Sequence, residues 1–395
     1  MDRAACNNRG NAAKVLINAK ASFGTGGDNT TSFLLSAAAR GEVASLQALL
    51  DSKADVNASD NATKKTLLHW ASMSSNGVAV KVLIDAKATV NVEDKHGYTP
   101  LDSAAANDST AAVQSLLDAK ATLKAKEITT LHRAAWSGHS DSAQVLIDGK
   151  ATLDVTDKLG KTPLHGAAEK GHRYAVKVLI DAKTALDIKD NEGKTMLHLA
   201  AEKGHSDVVK MLVDAKAPLD IGERYGDTPL HGAADEGHND IVQALVDAKA
   251  SLGNPNNDAT TPLHKAAGNG RNGAVQVLVN AKAPLDVKDC EGCTPLHDAA
   301  WSGHSGAAQL LVDAKAALDV KEKENGCTPL HKAVLFGHRY SVQALVEAKA
   351  TQDIEDNDGK TPLQIAAEKG DNGILRALLA PYAANTGTRK RGRDD

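Results

Sequence analysis

Thr162-Pro163-Leu164-His165-Gly166-Ala167-Ala168-Glu169-Lys170-Gly171-His172 is the stretch that decides how this chain folds. Thr162 has the short side-chain oxygen that caps a helix. Pro163 then stands at the first helical position, where its missing N–H costs nothing, and Gly171 supplies the left-handed residue that ends the helix. This predicts a helix over residues 163–170. Past the glycine, residues 174–182 carry Ala175, Val176, Val178, Leu179 and Ile180 at helical spacing, so a second helix packs back on the first. Small Ala167 and Ala168 allow close approach. Helices of about eight to ten residues do not persist alone in water, so this pair needs neighbours of its own kind.

The sequence supplies them. Residues in the Thr162 slot recur at Ser32, Thr66, Thr99, Thr129, Thr162, Thr195, Thr228, Thr261, Thr294, Thr328 and Thr361, at intervals of 34, 33, 30, 33, 33, 33, 33, 33, 34 and 33 residues. Residues 4–21 fit as the truncated rear of one earlier unit, which makes about twelve units, the first incomplete. A 33-residue period carrying Thr-Pro-Leu-His-x-Ala-Ala resembles the ankyrin repeat. The resemblance implies an all-α solenoid of helix-turn-helix units with short β-hairpin tips, of which residues 157–160 form one. The expected organisation is an array over residues 1–382, its last unit a cap in which Gln364 replaces histidine and Pro381 stops the final helix, followed by a flexible tail at 383–395.

Composition narrows the function. Forty-six basic against 50 acidic residues leave a formal charge of -4, so no positive field gathers nucleic acid around the whole molecule. No apolar run approaches the ~20 residues that cross a bilayer, and the start of the chain lacks a secretory core. Four cysteines in 395 residues fit a reducing compartment. The expectation is a cytoplasmic monomer, with a nuclear alternative because Arg389-Lys390-Arg391-Gly392-Arg393 has the composition of a short import signal.

Candidate chemistry dissolves largely into the repeat. Of fifteen histidines, His69, His132, His165, His198, His231, His264, His297 and His331 hold the tetrad slot, and His139, His172, His205, His238, His304 and His338 follow the first-helix glycine. The resemblance implies that the tetrad histidines tie one unit to the next by hydrogen bonds. Cys290-Glu291-Gly292-Cys293 has the form of a zinc or redox pair, with Cys327 one unit on, but stacked units stand roughly 10 Å apart, too far to share zinc–sulfur bonds of about 2.3 Å. No phosphate loop, nucleophile elbow or zinc-protease motif appears. The chain is therefore read as a non-enzyme with no cofactor. The rivals are a metal- or redox-dependent regulator built on Cys290, Cys293 and Cys327, and attachment to anionic surfaces through a ladder of lysines. That ladder (Lys20, Lys53, Lys87, Lys120, Lys150, Lys183, Lys216, Lys249, Lys282, Lys315, Lys349) stands where ankyrins usually have glycine. Either these lysines adopt strained left-handed geometry or the helices end differently. Acids two places earlier, such as Asp85 and Asp181, favour a solvated, locally neutralised edge.

The resemblance also implies binding of a protein through the concave face, built from hairpin tips and the ends of first helices. The residue two before the first-helix glycine reads Ala39, Met73, Ala106, Trp136, Glu169, Glu202, Asp235, Gly268, Trp301, Leu335 and Glu368. Its middle is acidic and its flanks are apolar. Phe336 beside Leu335 extends one flank, and Tyr98 stands on a tip beside the other. Trp136 and Trp301 either face a partner or fold back over neighbouring helices; the patch of Trp301, Leu335 and Phe336 is the principal expectation. Both flanks adjoin irregular tips, at residues 125–129 and 322–325.

Overall fold

The computed structural model describes residues 28–386 apart from residue 75 and residues 124–127. The expected truncated first unit, Lys20, the basic run at 389–393 and most of the shortened tip lie outside the described residues. The chain divides into two compact units, Met1–Asn191 and Glu192–Asp395. Among the described residues the first holds five helix pairs, from Asp28–Arg40 with Val43–Asp51 to Pro163–Glu169 with Arg173–Asp181. The second holds six, from Met196–Glu202 with Ser206–Asp214 to Pro362–Lys369 with Asn372–Thr386. Within each unit successive pairs stack into a repeat solenoid.

Each pair is built as the caps require. Thr162 is extended (φ -84°, ψ 168°), its Oγ1 accepts from the His165 N–H, and Pro163 is the first helical residue. Leu164, Ala167 and Ala168 of the first helix and Ala175, Val176 and Leu179 of the second are fully buried. The same six slots are filled throughout, so the core runs as a line through each unit instead of forming a centre. Gly171 takes φ 73° between the two helices.

The tips are turns more than strands. The Asp157 carboxylate accepts from the N–H of Leu159 and of Lys161, both at 2.8 Å, and Gly160 sits at φ 76°. Single backbone bonds join successive described tips, as from the Asn191 N–H to the Leu159 carbonyl (2.9 Å) and from the Cys290 N–H to the Asp258 carbonyl (2.9 Å). Among the described residues the only bridge of strand type is Ser59 with Thr66. The loop-rich tip at residues 254–260 keeps the pattern: Asn256 Oδ1 accepts from Asp258 and Thr260, and Ala259 takes the glycine's place at φ 60°.

Two expectations need correction. Pro381 does not stop the final helix, which continues to Thr386. A proline removes one N–H from the ladder, and residues beyond it can resume the i→i−4 pattern. The first described helix begins at Asp28, a turn before the Ser32 slot.

Candidate partner-binding face

The tetrad histidines bond as a matched set. The Thr294 N–H donates to His297 Nδ1 at 3.1 Å, which leaves the ring proton on Nε2, and Nε2 donates to the Cys327 carbonyl one repeat on at 3.2 Å. His69, His132, His231, His264 and His331 do the same toward Tyr98, Lys161, Thr260, Cys293 and Lys360. Burial lowers the pKa of all six, to about 4 at His297, which is 1% exposed. These rings are structural ties and are closed to solvent.

The cysteines likewise serve the stack. Cys290 is exposed, while Cys293 and Cys327 are buried. Burial pushes the Cys293 thiol up to about 12 and the Cys327 thiol to about 11, so neither is a thiolate at neutral pH. No group of three or more His, Cys, Asp or Glu side chains among the described residues is arranged to hold a metal ion.

The histidines after the glycine position the face. His338 Nε2 donates to the Trp301 carbonyl (2.8 Å), His172 Nε2 to that of Trp136 (3.0 Å) and His238 Nε2 to that of Glu202 (3.2 Å). Each of these three first helices therefore has its terminal carbonyl tied to the following repeat, which fixes the direction of the side chain at its end.

The two tryptophans differ in fate. A Cβ on Gly166 would fall inside the Trp136 indole, so that ring lies on the next first helix, partly buried and edge-on to His132 at 5.8 Å. Trp301 has Lys332 in the slot corresponding to Gly166, and no such seat exists. It is 53% exposed and meets Phe336, itself 52% exposed, with ring centroids 5.9 Å apart. Leu335 is partly buried between neighbours, its carbonyl taken by the Lys369 ammonium at 2.8 Å. Filling the seat should show the difference: Gly166→Ala is expected to lift the Trp136 ring and cost about 1–3 kcal/mol. A urea midpoint equal to that of the parent would show that the ring has another resting place.

The remaining face residues are largely engaged. The Tyr98 ring is covered by the Arg133 guanidinium at 3.8 Å, and the Met73 sulfur lies 3.6 Å from the Lys65 ammonium. Glu169 pairs with Lys161 (2.7 Å), Glu202 with Lys194 (2.8 Å) and Glu368 with Lys360 (2.6 Å), while the Asp235 carboxylate accepts from Asn269 (2.7 Å). The acidic middle is thus neutralised from within, through lysines eight residues upstream that the sequence reading passed over. The signal was there as a lysine just before the capping threonine. A cavity of about 350 Å³ beside Tyr225, Gly232 and Asp235 is lined by these same paired acids.

The described ladder lysines are all exposed and all left-handed, at φ 61–71°. The acids two places before them accept instead from a side chain one turn back, as Asp313 does from Gln309 and Asp181 from Lys177.

The family described as ankyrin repeats, in sets of three copies, matches residues 34–127, 131–224, 182–256, 230–323 and 314–390. The chain belongs to the ankyrin-repeat family. Among solved structures it is similar to the ankyrin repeat domain of Bcl-3, described as a unique member of the IkappaB protein family: 30% identity, TM-score 0.50, covering 55% of this chain and 98% of that one. It is also similar to the human ASB11 ankyrin repeat domain, at 26% identity and TM-score 0.49 over 56% of this chain and 97% of that one. No helix among the described residues of this ankyrin chain is long and apolar enough to cross a membrane.

Proposed function

We propose that this ankyrin chain is a non-catalytic interaction scaffold that binds a partner protein at Trp301, Leu335 and Phe336. Ankyrin repeats generally serve protein–protein interaction, and the observation that carries the choice of site is the unseated Trp301–Phe336 pair. Two large apolar rings, each about half exposed, stand together, whereas along the row of Trp301 the Trp136 ring is seated and Glu169, Glu202, Asp235 and Glu368 are paired. Exposed aromatic area of this kind is costly in water and characteristic of an interface centre. The tie from His338 to the Trp301 carbonyl holds it in place before a partner arrives, which lowers the ordering cost of binding. The free cysteines agree with a reducing compartment, and the reading is of a cytoplasmic monomer.

Affinity capture with the intact chain, followed by titration of the recovered partner, tests the site. A buried aromatic anchor contributes about 2 kcal/mol or more on truncation, so Trp301→Ala should weaken binding at least roughly tenfold, with Trp136→Ala nearer neutral. Circular dichroism of each variant should match the parent. Unchanged affinity in both Trp301→Ala and Phe336→Ala would place the binding face elsewhere.

A further inference from the structure

The side chain three residues before Trp301 on the same helix face is Asp298, and its surroundings are unlike those of the other acids. It is partly exposed, and its carboxylate makes no hydrogen bond or ion pair among the described residues, whereas Glu202, Glu368 and Asp235 are each engaged. The nearest cation on the following repeat, the Lys332 ammonium, is drawn to Glu322 at 3.9 Å. Asp289 is occupied by the N–H groups of Glu291 and Cys293.

Space lies beside it. In this family of slots, the residue at the end of one first helix meets the residue at the fourth position of the next, as Trp136 meets Gly166 and Glu202 meets Gly232. At Asp298 the partner in that relation is Gly268, and a Cβ there would touch only the Asp298 Cβ, at 3.4 Å. The seat filled by an indole in one repeat receives no side chain here from Gly268, with the Asp298 carboxyl beside it and Trp301 one helical turn on.

We propose that Gly268, Asp298 and Trp301 form a receptacle for one lysine or arginine side chain of the partner, whose adjoining apolar residue rests on Trp301 and Phe336. The proposal rests on the reading of the Trp301 patch as the binding site and names the chemistry of what it binds. A carboxylate without a cation and an exposed indole face are the two groups that a guanidinium or ammonium uses together. Burial, with Asp289 and Glu291 close by, raises the Asp298 pKa to about 8, against the pull of Lys332. At neutral pH the free protein therefore holds this carboxyl largely protonated, and a cation bound beside it would draw the proton off.

The test is a phage library of random twelve-residue peptides panned on the full chain, with the selected peptides titrated against the parent, Asp298→Asn, Trp301→Ala and Phe336→Ala. Asp298→Asn keeps size and should fold. The expected result is peptides rich in lysine or arginine next to an aromatic or aliphatic residue, weakened at least about tenfold by Asp298→Asn and by Trp301→Ala. Trp301-dependent peptides with no basic enrichment, or with equal affinity for Asp298→Asn, would overturn this inference and leave the binding site standing. Peptides indifferent to Trp301→Ala and Phe336→Ala, or a library yielding no binder at this face, would overturn both.

Discussion

Acidification from pH 7 to pH 5 is expected to destabilise each compact unit through its tetrad histidines. The cause is the histidine tie. A tetrad ring accepts from the threonine N–H at Nδ1, so it cannot take up a proton there without losing that bond and charging a dry site. Folding lowers the pKa of His69, His132, His231, His264, His297 and His331 from 6.5. The unfolded chain therefore binds protons below about pH 6.5 that the folded chain refuses. Their stabilisation is complete above that pH and is lost as pH falls toward the folded values, about 4 at His297. For His297 alone this is about 3 kcal/mol across the window.

Two carboxylates run the other way. Asp235 and Asp298 have raised folded values, so their contribution is greatest at low pH and is lost as pH rises, through about 8 at Asp298. Four lowered histidines stand against two raised carboxylates in the second unit, and two lowered histidines stand in the first, so the histidines set the direction in each. Stability should therefore fall as pH falls below about 6.5. Urea titrations at half-unit steps measure it. Replacing His231, His264, His297 and His331 together by glutamine supplies the control, since Gln364 already fills this slot and accepts from the Thr361 N–H at 2.8 Å. That variant should start less stable and, with Asp235 and Asp298 left in place, gain rather than lose stability on acidification. A parent whose urea midpoint is flat from pH 7 to 5 would contradict the account.

The repeat was fully legible in the sequence because its signals are local and recur in phase: the capping threonine, the proline after it, the glycine between helices. The fate of the two tryptophans was legible only in a pair of residues thirty or so positions apart. Trp136 is followed by Gly166 in the facing slot and lies down; Trp301 is followed by Lys332 and cannot. Each tryptophan considered within its own repeat is identical, Ala-Ala-Trp-Ser-Gly-His, so the difference belongs to the stacking between repeats. The acidic row misled for the same reason. Glu169 and Glu202 look like an anionic stripe until Lys161 and Lys194 are folded across them from the tips. Pro381 was overread because a missing N–H weakens a helix locally without obliging it to end.

Replacing the lysine ladder by glycine is expected to stabilise the protein. Each second helix that ends at a ladder lysine closes six-to-one, as where the Ala316 N–H reaches the Leu311 carbonyl (3.0 Å) and the Lys315 N–H reaches that of Val312 (2.9 Å). That closure forces the residue between into left-handed geometry, and Lys216, Lys249, Lys282, Lys315 and Lys349 hold it at φ 64–71°. A Cβ there crowds the following carbonyl at a cost of about 1 kcal/mol, and glycine relieves it, less what its greater freedom costs in the unfolded chain. The helix dipole favours the lysine charge by a few tenths of that, about 0.3 kcal/mol or more at an exposed end, so strain wins. The sites are a repeat apart and share no partners, which makes the gains close to additive. With about 0.4 kcal/mol of chain freedom set against each glycine, five Lys→Gly changes in the second unit should therefore raise its unfolding free energy by about 1–2 kcal/mol. The matched Lys→Ala set removes the same charges and keeps the Cβ, so it should bring almost nothing. If the alanine set shifts the urea midpoint as far as the glycine set does, repulsion along the ladder and not backbone strain is what the lysines impose.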